Sequence, residues 1–291
     1  MTQFIAVANR KGGVGKSTVS VMLAYAFSVW SNKRVLLLDL DPQSNSSLIL
    51  VGGEGWLETK QKSRNVAAYL EDRLYSIEQT KIHDYITRGA GDVERDDGSR
   101  PDLSLVAGSL DFEDMQDELI THYSRGATPF KQAKLKCAEH FRAALSYARP
   151  NADLIIMDCA PGLSHATAAA LRLADKVIVP FRPDAVSEFA VDRIAQIIEG
   201  KTDPSKVWSI PQLERRYICL ANYVRPVGRD ALYVDTIATN HPMLATRLPL
   251  MPEIADAFDY LGEPQTLDEK YGPAIGPLRS LHQELTTLLQ I

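Results

Sequence analysis

Cysteine is scarce in this 291-residue chain: Cys137, Cys159 and Cys219 are odd in number and widely spaced. That excludes a disulfide framework and suits thiols in a reducing compartment. No Cys-x-x-Cys pair occurs and the six histidines are scattered, so zinc and iron–sulfur centres lack a ligand set. Long apolar runs are missing too. No stretch approaches the ~18 residues a membrane span needs, and the opening residues carry no basic leader, so a cytoplasmic protein is expected. Basic charge is in deficit, 32 Lys and Arg against 37 Asp and Glu, a net −5. A protein that coats nucleic acid with its whole surface is thereby excluded, and any DNA contact must be a local patch.

What is present is the balance of a globular protein, 45% hydrophobic and 24% charged, which excludes disorder, collagen and coiled coil. Charge is unevenly spread. Residues 92–118 hold ten acidic residues against Arg95 and Arg100, a local −8, which leaves the remainder at +3.

Short β-rich apolar runs alternate with segments of helical period, the pattern of a parallel sheet covered by helices on both faces. Strands are expected at 4–8, 34–39, 103–106, 154–158, 176–181 and 217–221, with a shorter one near 246–248. Their mostly unalternating Val, Ile and Leu content predicts burial on both faces. Helices are expected near 17–31, 65–73, 111–121, 130–148, 165–174, 187–199, 229–240 and 275–290. Between the second and third strands, Gly52, Gly53 and Gly55 and the run 89–98 read as surface loops, so residues from about 51 to 102 form an insertion-like variable region. A single domain over 1–291 is expected, with no appended N-terminal DNA-binding module, because the first strand begins within a few residues of Met1.

The chemistry concentrates after the first strand, where Asn9-Arg-Lys-Gly-Gly-Val-Gly-Lys-Ser-Thr18 precedes a helical run. Gly12, Gly13 and Gly15 let the backbone around Val14 curl so that its N–H groups face inward, and the helix N-terminus adds partial positive charge. Lys16 would bridge the β- and γ-phosphates, Ser17 would ligate Mg²⁺, and Thr18 would contact the α-phosphate. The usual pattern has glycine five residues before Gly15, whereas this chain has Arg10 and then Lys11.

That second lysine makes Lys11-Gly-Gly-Val-Gly-Lys16-Ser17-Thr18 resemble the deviant Walker A motif of the ParA/MinD superfamily. The resemblance implies a P-loop NTPase fold and an ATPase whose Lys11 crosses to the nucleotide of a second subunit, sandwiching ATP in a homodimer. A lysine reaching across would offset repulsion between two phosphate-rich surfaces. Leu38-Asp39-Leu-Asp41-Pro42-Gln43 is similar to the family's first switch, which implies that Asp41 orients the attacking water and Asp39 supports the metal shell. Where the family commonly continues Gly-Asn, this chain has Ser44-Asn45. Asp158, ending the fourth strand, stands at the Walker B position for Mg²⁺, and Cys159-Ala-Pro161-Gly162 follows as a second switch. Asn222 looks like the family's adenine-reading asparagine, and the segment from Leu248 through Pro249 to Ala257 resembles the one that closes over the base. The absence of Asn-Lys-x-Asp favours ATP over GTP. The similarity is strongest at 5–50 and 153–190 and weakest at 51–102.

The family divides by cargo. ParA-type members bind DNA without sequence preference as ATP dimers, sit on the nucleoid, and are stimulated by a ParB-like or cargo-adaptor partner; MinD-type members use a C-terminal amphipathic helix on membranes. Here the tail has leucines at 278, 281, 285, 288 and 289 but Arg279 as its firm cation, so it reads as a helix packed on the sheet, with no stable membrane association. Membrane regulation is the alternative reading, and metabolic chemistry on the same fold a third. Residues 201–250 carry seven cations against four acids, and with Arg193 they give the candidate DNA contacts Arg193, Arg215, Arg216, Arg225 and Arg229. Residues 121–150 form a second basic stretch at +5.

Overall fold

A computed structural model describes residues 2–75, 80–125, 128–226 and 228–291. Its strands are β1 (Gln3–Val7), β2 (Val35–Leu40), β3 (Thr87–Arg88), β4 (Leu103–Val106), β5 (Leu154–Cys159), β6 (Lys176–Phe181) and β7 (Tyr217–Ala221). Among the described residues the α-helices are α1 (Lys16–Val29), α2 (Asn45–Gln61), α3 (Val66–Tyr75), α4 (Phe112–Tyr123), α5 (Phe130–Ser146), α6 (His165–Leu173), α7 (Ser187–Glu199), α8 (Pro204–Trp208), α9 (Asp230–Asn240), α10 (Pro252–Asp256), α11 (Leu267–Tyr271) and α12 (Ile275–Leu289). Among the described residues the strands form one seven-stranded sheet in the order β3-β4-β2-β5-β1-β6-β7. Every pairing is parallel except that of the edge strand β3 with β4.

Strand periodicity divides the core in two. From β1 and the residue after it, Phe4, Ala6 and Ala8 enter one apolar layer while Ile5 and Val7 enter the other. From β2, Leu36, Leu38 and Leu40 join the first layer and Val35 and Leu37 the second. Helices α3 to α7 and α9 cover the first face, and α1, the start of α2 and the segment α10 to α12 cover the second. Both faces are thus buried, as the unalternating strands predict. The tail helix α12 buries Leu278, Leu281 and Leu285 in the second layer, and its His282 lies edge-on to Phe27 and Trp30, so its apolar stripe is spent on the core. No helix among the described residues is long and apolar enough to cross a membrane.

Two expectations are corrected. The strand near 246–248 does not form as an element: residues 242–250 run beside β7 with isolated bridges at Met243 and Pro249, and the prolines at 242 and 249 lack the N–H a continuous ladder needs. The glycines at 53 and 55 are helical, not looped. Helix α2 breaks at Gly52 (φ 67°, ψ 175°) and resumes, its second half held by Trp56 Nε1 donating to the Gly108 carbonyl at 3.2 Å. That contact joins residues far apart in sequence, so local propensity could not report it. The region 51–102 therefore also contains α3 and the edge strand β3.

Candidate functional site

The C-terminal ends of the parallel strands β1, β2 and β5 deliver Asn9, Asp39, Asp41 and Asp158 to one edge of the sheet, the place where open α/β sheets bind ligands. Between β1 and α1 the loop turns through Gly13 (φ 68°) and Gly15 (φ 83°). At Gly15 an added Cβ would stand 2.2 Å from Asn222 Nδ2, so a side chain is excluded by space as well as by conformation. Gly15 is also the N-cap of α1 and caps nothing with a side chain. The first N–H groups of the helix are left as donors facing the loop, where an anion satisfies them.

Lys16 is buried, with Nζ 3.4 Å from the Lys11 carbonyl oxygen. Burial lowers its pKa, opposed by the nearby negative charge of Asp158 and Asp41. Asp39 is fully buried and accepts hydrogen bonds from the Ser47 N–H (2.9 Å), the Ser47 hydroxyl (2.5 Å) and the Asp41 N–H (3.2 Å). Asp158, equally buried, accepts from the Ser20 hydroxyl at 3.2 Å through Oδ1, while Oδ2 has no hydrogen-bond partner among the described residues. Burial raises the pKa of both carboxyls, and for Asp158 the neighbouring Asp39 adds to the rise while the Ser17 hydroxyl counters it. Asp41 accepts the Gln43 N–H at 3.0 Å, a local turn that holds the segment after β2 in place. Gly108, two residues beyond β4, lies so close that a Cβ would meet Ser44 Oγ at 2.7 Å and the Asp39 carboxyl at 2.9 Å.

These groups surround a cavity of about 470 Å³ lined by Gly12, Gly13, Gly15 to Thr18, Asp41, Gln43, Asn45, Leu48, Ile49, Pro161, Tyr223 and Phe258. It falls within the roughly 300–1,000 Å³ usual for small-molecule sites. Gly162, in the segment after β5, donates its N–H to the Arg10 carbonyl at 3.2 Å, which ties that segment to the phosphate loop.

The residues expected to act on phosphate thus converge. Others take different places. The Lys11 ammonium pairs with Asp184, which follows β6; the Ser187 hydroxyl also donates to Asp184, at 2.9 Å. Asn222 is 1% exposed, donates Nδ2 to the Val14 carbonyl at 2.9 Å and accepts the Tyr223 N–H at 2.9 Å. It braces the loop instead of presenting its amide to a base, and Pro249 is not among the residues lining the cavity. The apolar wall comes from Leu48, Ile49, Tyr223 and Phe258, which the sequence reasoning did not name. Tyr223 adjoins the expected asparagine and Phe258 follows the expected closing segment, so proximity was the available signal.

The candidate DNA arginines separate as well. Arg215 is 3% exposed, and its guanidinium donates to the carbonyls of Ile210, Trp208 and Asn240. Arg216 donates to the carbonyls of Leu171, Ala174 and Ile198, tying α6 and α7 to β7. Both are structural and, contrary to expectation, do not offer phosphate contacts, because their donors are already spent inside the fold. Arg193, Arg225 and Arg229 stay at the surface, Arg225 in a two-bond pair with Asp230 (2.7 and 3.2 Å).

Residues 2–205 match the AAA-domain family, more than half of the chain. The chain is a ParA/MinD-type member of that family. This ParA/MinD-type protein is 31% identical over 198 residues to the sporulation initiation inhibitor Soj of Bacillus subtilis, a match covering 68% of this chain and 64% of Soj. It thus spans just under two thirds of that relative. Among solved structures, apo McdA of Cyanothece superposes with a TM-score of 0.70 at 16% identity, covering 98% of this chain and all of that one. A putative plasmid partition protein of Borrelia burgdorferi B31, bound to AMPPNP, gives 0.62 at 17% identity over 98% and 100% of the two chains. At such identities the two structures establish the shared fold.

Proposed function

We propose that this protein is an ATPase that works as a positioning switch: ATP closes a homodimer, the dimer holds DNA without reading its sequence, and hydrolysis triggered by a ParB-like or adaptor partner releases it. The reading is carried by the convergence of buried Lys16 with Asp41 and Asp158 at an uncapped helix N-terminus, beside a second lysine, Lys11. Nucleotide phosphates satisfy the free N–H groups of α1 and give the Lys16 ammonium a counter-charge. Relatives bear on cargo: the Borrelia protein is described as a plasmid partition protein and was solved with an ATP analogue.

The residues fit Mg²⁺. Asp158 Oδ2 is a buried carboxylate oxygen without a partner, and the Ser17 hydroxyl lies beside the same group. No three His, Cys, Asp or Glu side chains converge as a metal cage among the described residues, consistent with an ion bound mainly by nucleotide phosphates and water. Ser17 would ligate the ion, with Asp158 and Asp39 acting on its hydration shell. When bound, it neutralises charge developing on the transferred phosphoryl group. Asp41 orients the attacking water, Lys16 stabilises the β- and γ-oxygens, and Lys11 leaves Asp184 for the partner subunit's nucleotide. Arg193, Arg225 and Arg229 supply surface cations for DNA phosphates.

DNA retention measured with ATP, ADP and no nucleotide tests the switch. Retention of unrelated duplexes with ATP, weakened by salt and absent with ADP, is expected. Equal retention in all three conditions would refute it.

A further inference from the structure

Asp92 lies in the weakly recognisable region between β3 and β4, yet it is fully buried and saturated with partners. Its Oδ1 accepts the Tyr25 hydroxyl at 3.1 Å, and its Oδ2 accepts the Lys270 ammonium at 2.8 Å and the Leu261 N–H at 3.0 Å. Lys270 also donates to the Asp259 carbonyl at 3.2 Å, and its side chain is 3% exposed. Backbone bonds reinforce the junction: Gln265 N–H to the Asp92 carbonyl (3.0 Å) and Glu94 N–H to the Gln265 carbonyl (2.8 Å). One residue earlier, the Gly91 N–H donates to the Leu50 carbonyl of α2 at 2.7 Å.

These contacts fix two segments that carry the apolar wall of the cavity. Leu48 and Ile49 lie on α2 just before Leu50; Phe258 lies between α10 and the residues gripped by Asp92 and Lys270. The segments also meet directly: the Tyr260 ring abuts Gly52, where an added Cβ would stand 2.7 Å away. We infer that residues 90–95 form a strap whose buried Asp92–Lys270 pair positions the base-facing wall, making Asp92, Lys270 and Tyr260 positioning residues for the nucleotide base. The strap reaches α1 at Tyr25 and Ser28, nine or more residues past Lys16, and among the described residues makes no hydrogen bond to the phosphate loop itself. The inference rests on the cavity being a nucleotide site with its base against Leu48, Ile49 and Phe258.

The test compares ADP with inorganic triphosphate by calorimetric titration on the full chain. Two variants are used: the double replacement D92N/K270M, which removes both charges and avoids stranding one in the core, and Tyr260→Ala at the 39% exposed contact with Gly52. For either folded variant the ADP Kd is expected to rise about tenfold while the triphosphate Kd stays within about twofold. Equal weakening of both ligands, or unchanged ADP binding, overturns the strap. A wild-type protein that binds neither ligand overturns the nucleotide reading itself, and one that binds ADP no more tightly than triphosphate overturns the placement of the base.

Discussion

The two walls of the cavity are made in different ways. The phosphate wall is mostly backbone, the eight-residue loop 8–15 with the first turn of α1 and the ends of adjacent parallel strands, with Gly15 forced by space and Asp39 and Asp158 fixed by strand register. The apolar wall is assembled from α2, Tyr223 and Phe258, segments brought together by tertiary contacts such as Asp92 with Lys270. A site built from local backbone is written in consecutive residues. A site built from packed side chains is written across the whole chain, and a substitution far from the ligand can reach it.

The comparison breaks most sharply at Lys16. Lys16→Ala removes the cation facing the phosphates, and nucleotide binding by calorimetry is expected to fall about a hundredfold or more, since hydrogen bonds to charged groups contribute roughly 1.5–3 kcal/mol and the neighbouring carboxylates are left uncompensated. Retained binding would place recognition on the apolar wall instead. Asp41→Ala ranks next: single-turnover hydrolysis should drop about a hundredfold with ATP affinity preserved, if the residue orients water as proposed and does not hold the nucleotide. Loss of affinity in step with rate would make Asp41 a binding group.

A smaller effect concerns the buried carboxyls. The folded pKa values of Asp39 and Asp158 lie above the ordinary carboxylate range because burial disfavours the charged forms. The folded chain therefore holds protons that the unfolded chain has released, and stability of the nucleotide-free protein declines as pH rises from the unfolded pKa through the raised folded one. Asp158→Asn should flatten that decline between about pH 4 and 7 in thermal melts while weakening Mg²⁺-dependent nucleotide binding. An unchanged slope would remove Asp158 as its source. The smallest effect is expected at the surface: Arg229→Ala should weaken DNA retention a fewfold and reduce its salt dependence by about one counterion, leaving the melting curve intact. A lowered melting temperature would instead group it with Arg215.

Legibility in the sequence followed the same division. The strands from Leu103 to Val106, Lys176 to Phe181 and Tyr217 to Ala221 could be read from their apolar runs because those runs are too short for a buried helix and are rich in Val, Ile and Leu. The loop from Gly12 to Thr18 could be read because its chemistry constrains consecutive residues. The second half of α2 could not, since Gly52, Gly53 and Gly55 argue locally for a loop and only Trp56 on Gly108 overrides them. Arg215 and Arg216 counted as surface charge because composition does not show which carbonyls wait inside the fold. Asn222 was placed at the right strand end, but its amide is claimed by Val14.

Lys11, paired with Asp184 in the single chain, is proposed to serve a second copy's nucleotide. Light-scattering mass measured with ATP, for a hydrolysis-deficient Asp41→Ala protein with and without Lys11→Ala, tests it most directly. Twice the chain mass is expected with Lys11 present and a single-chain mass without it. The same mass for both proteins would contradict it.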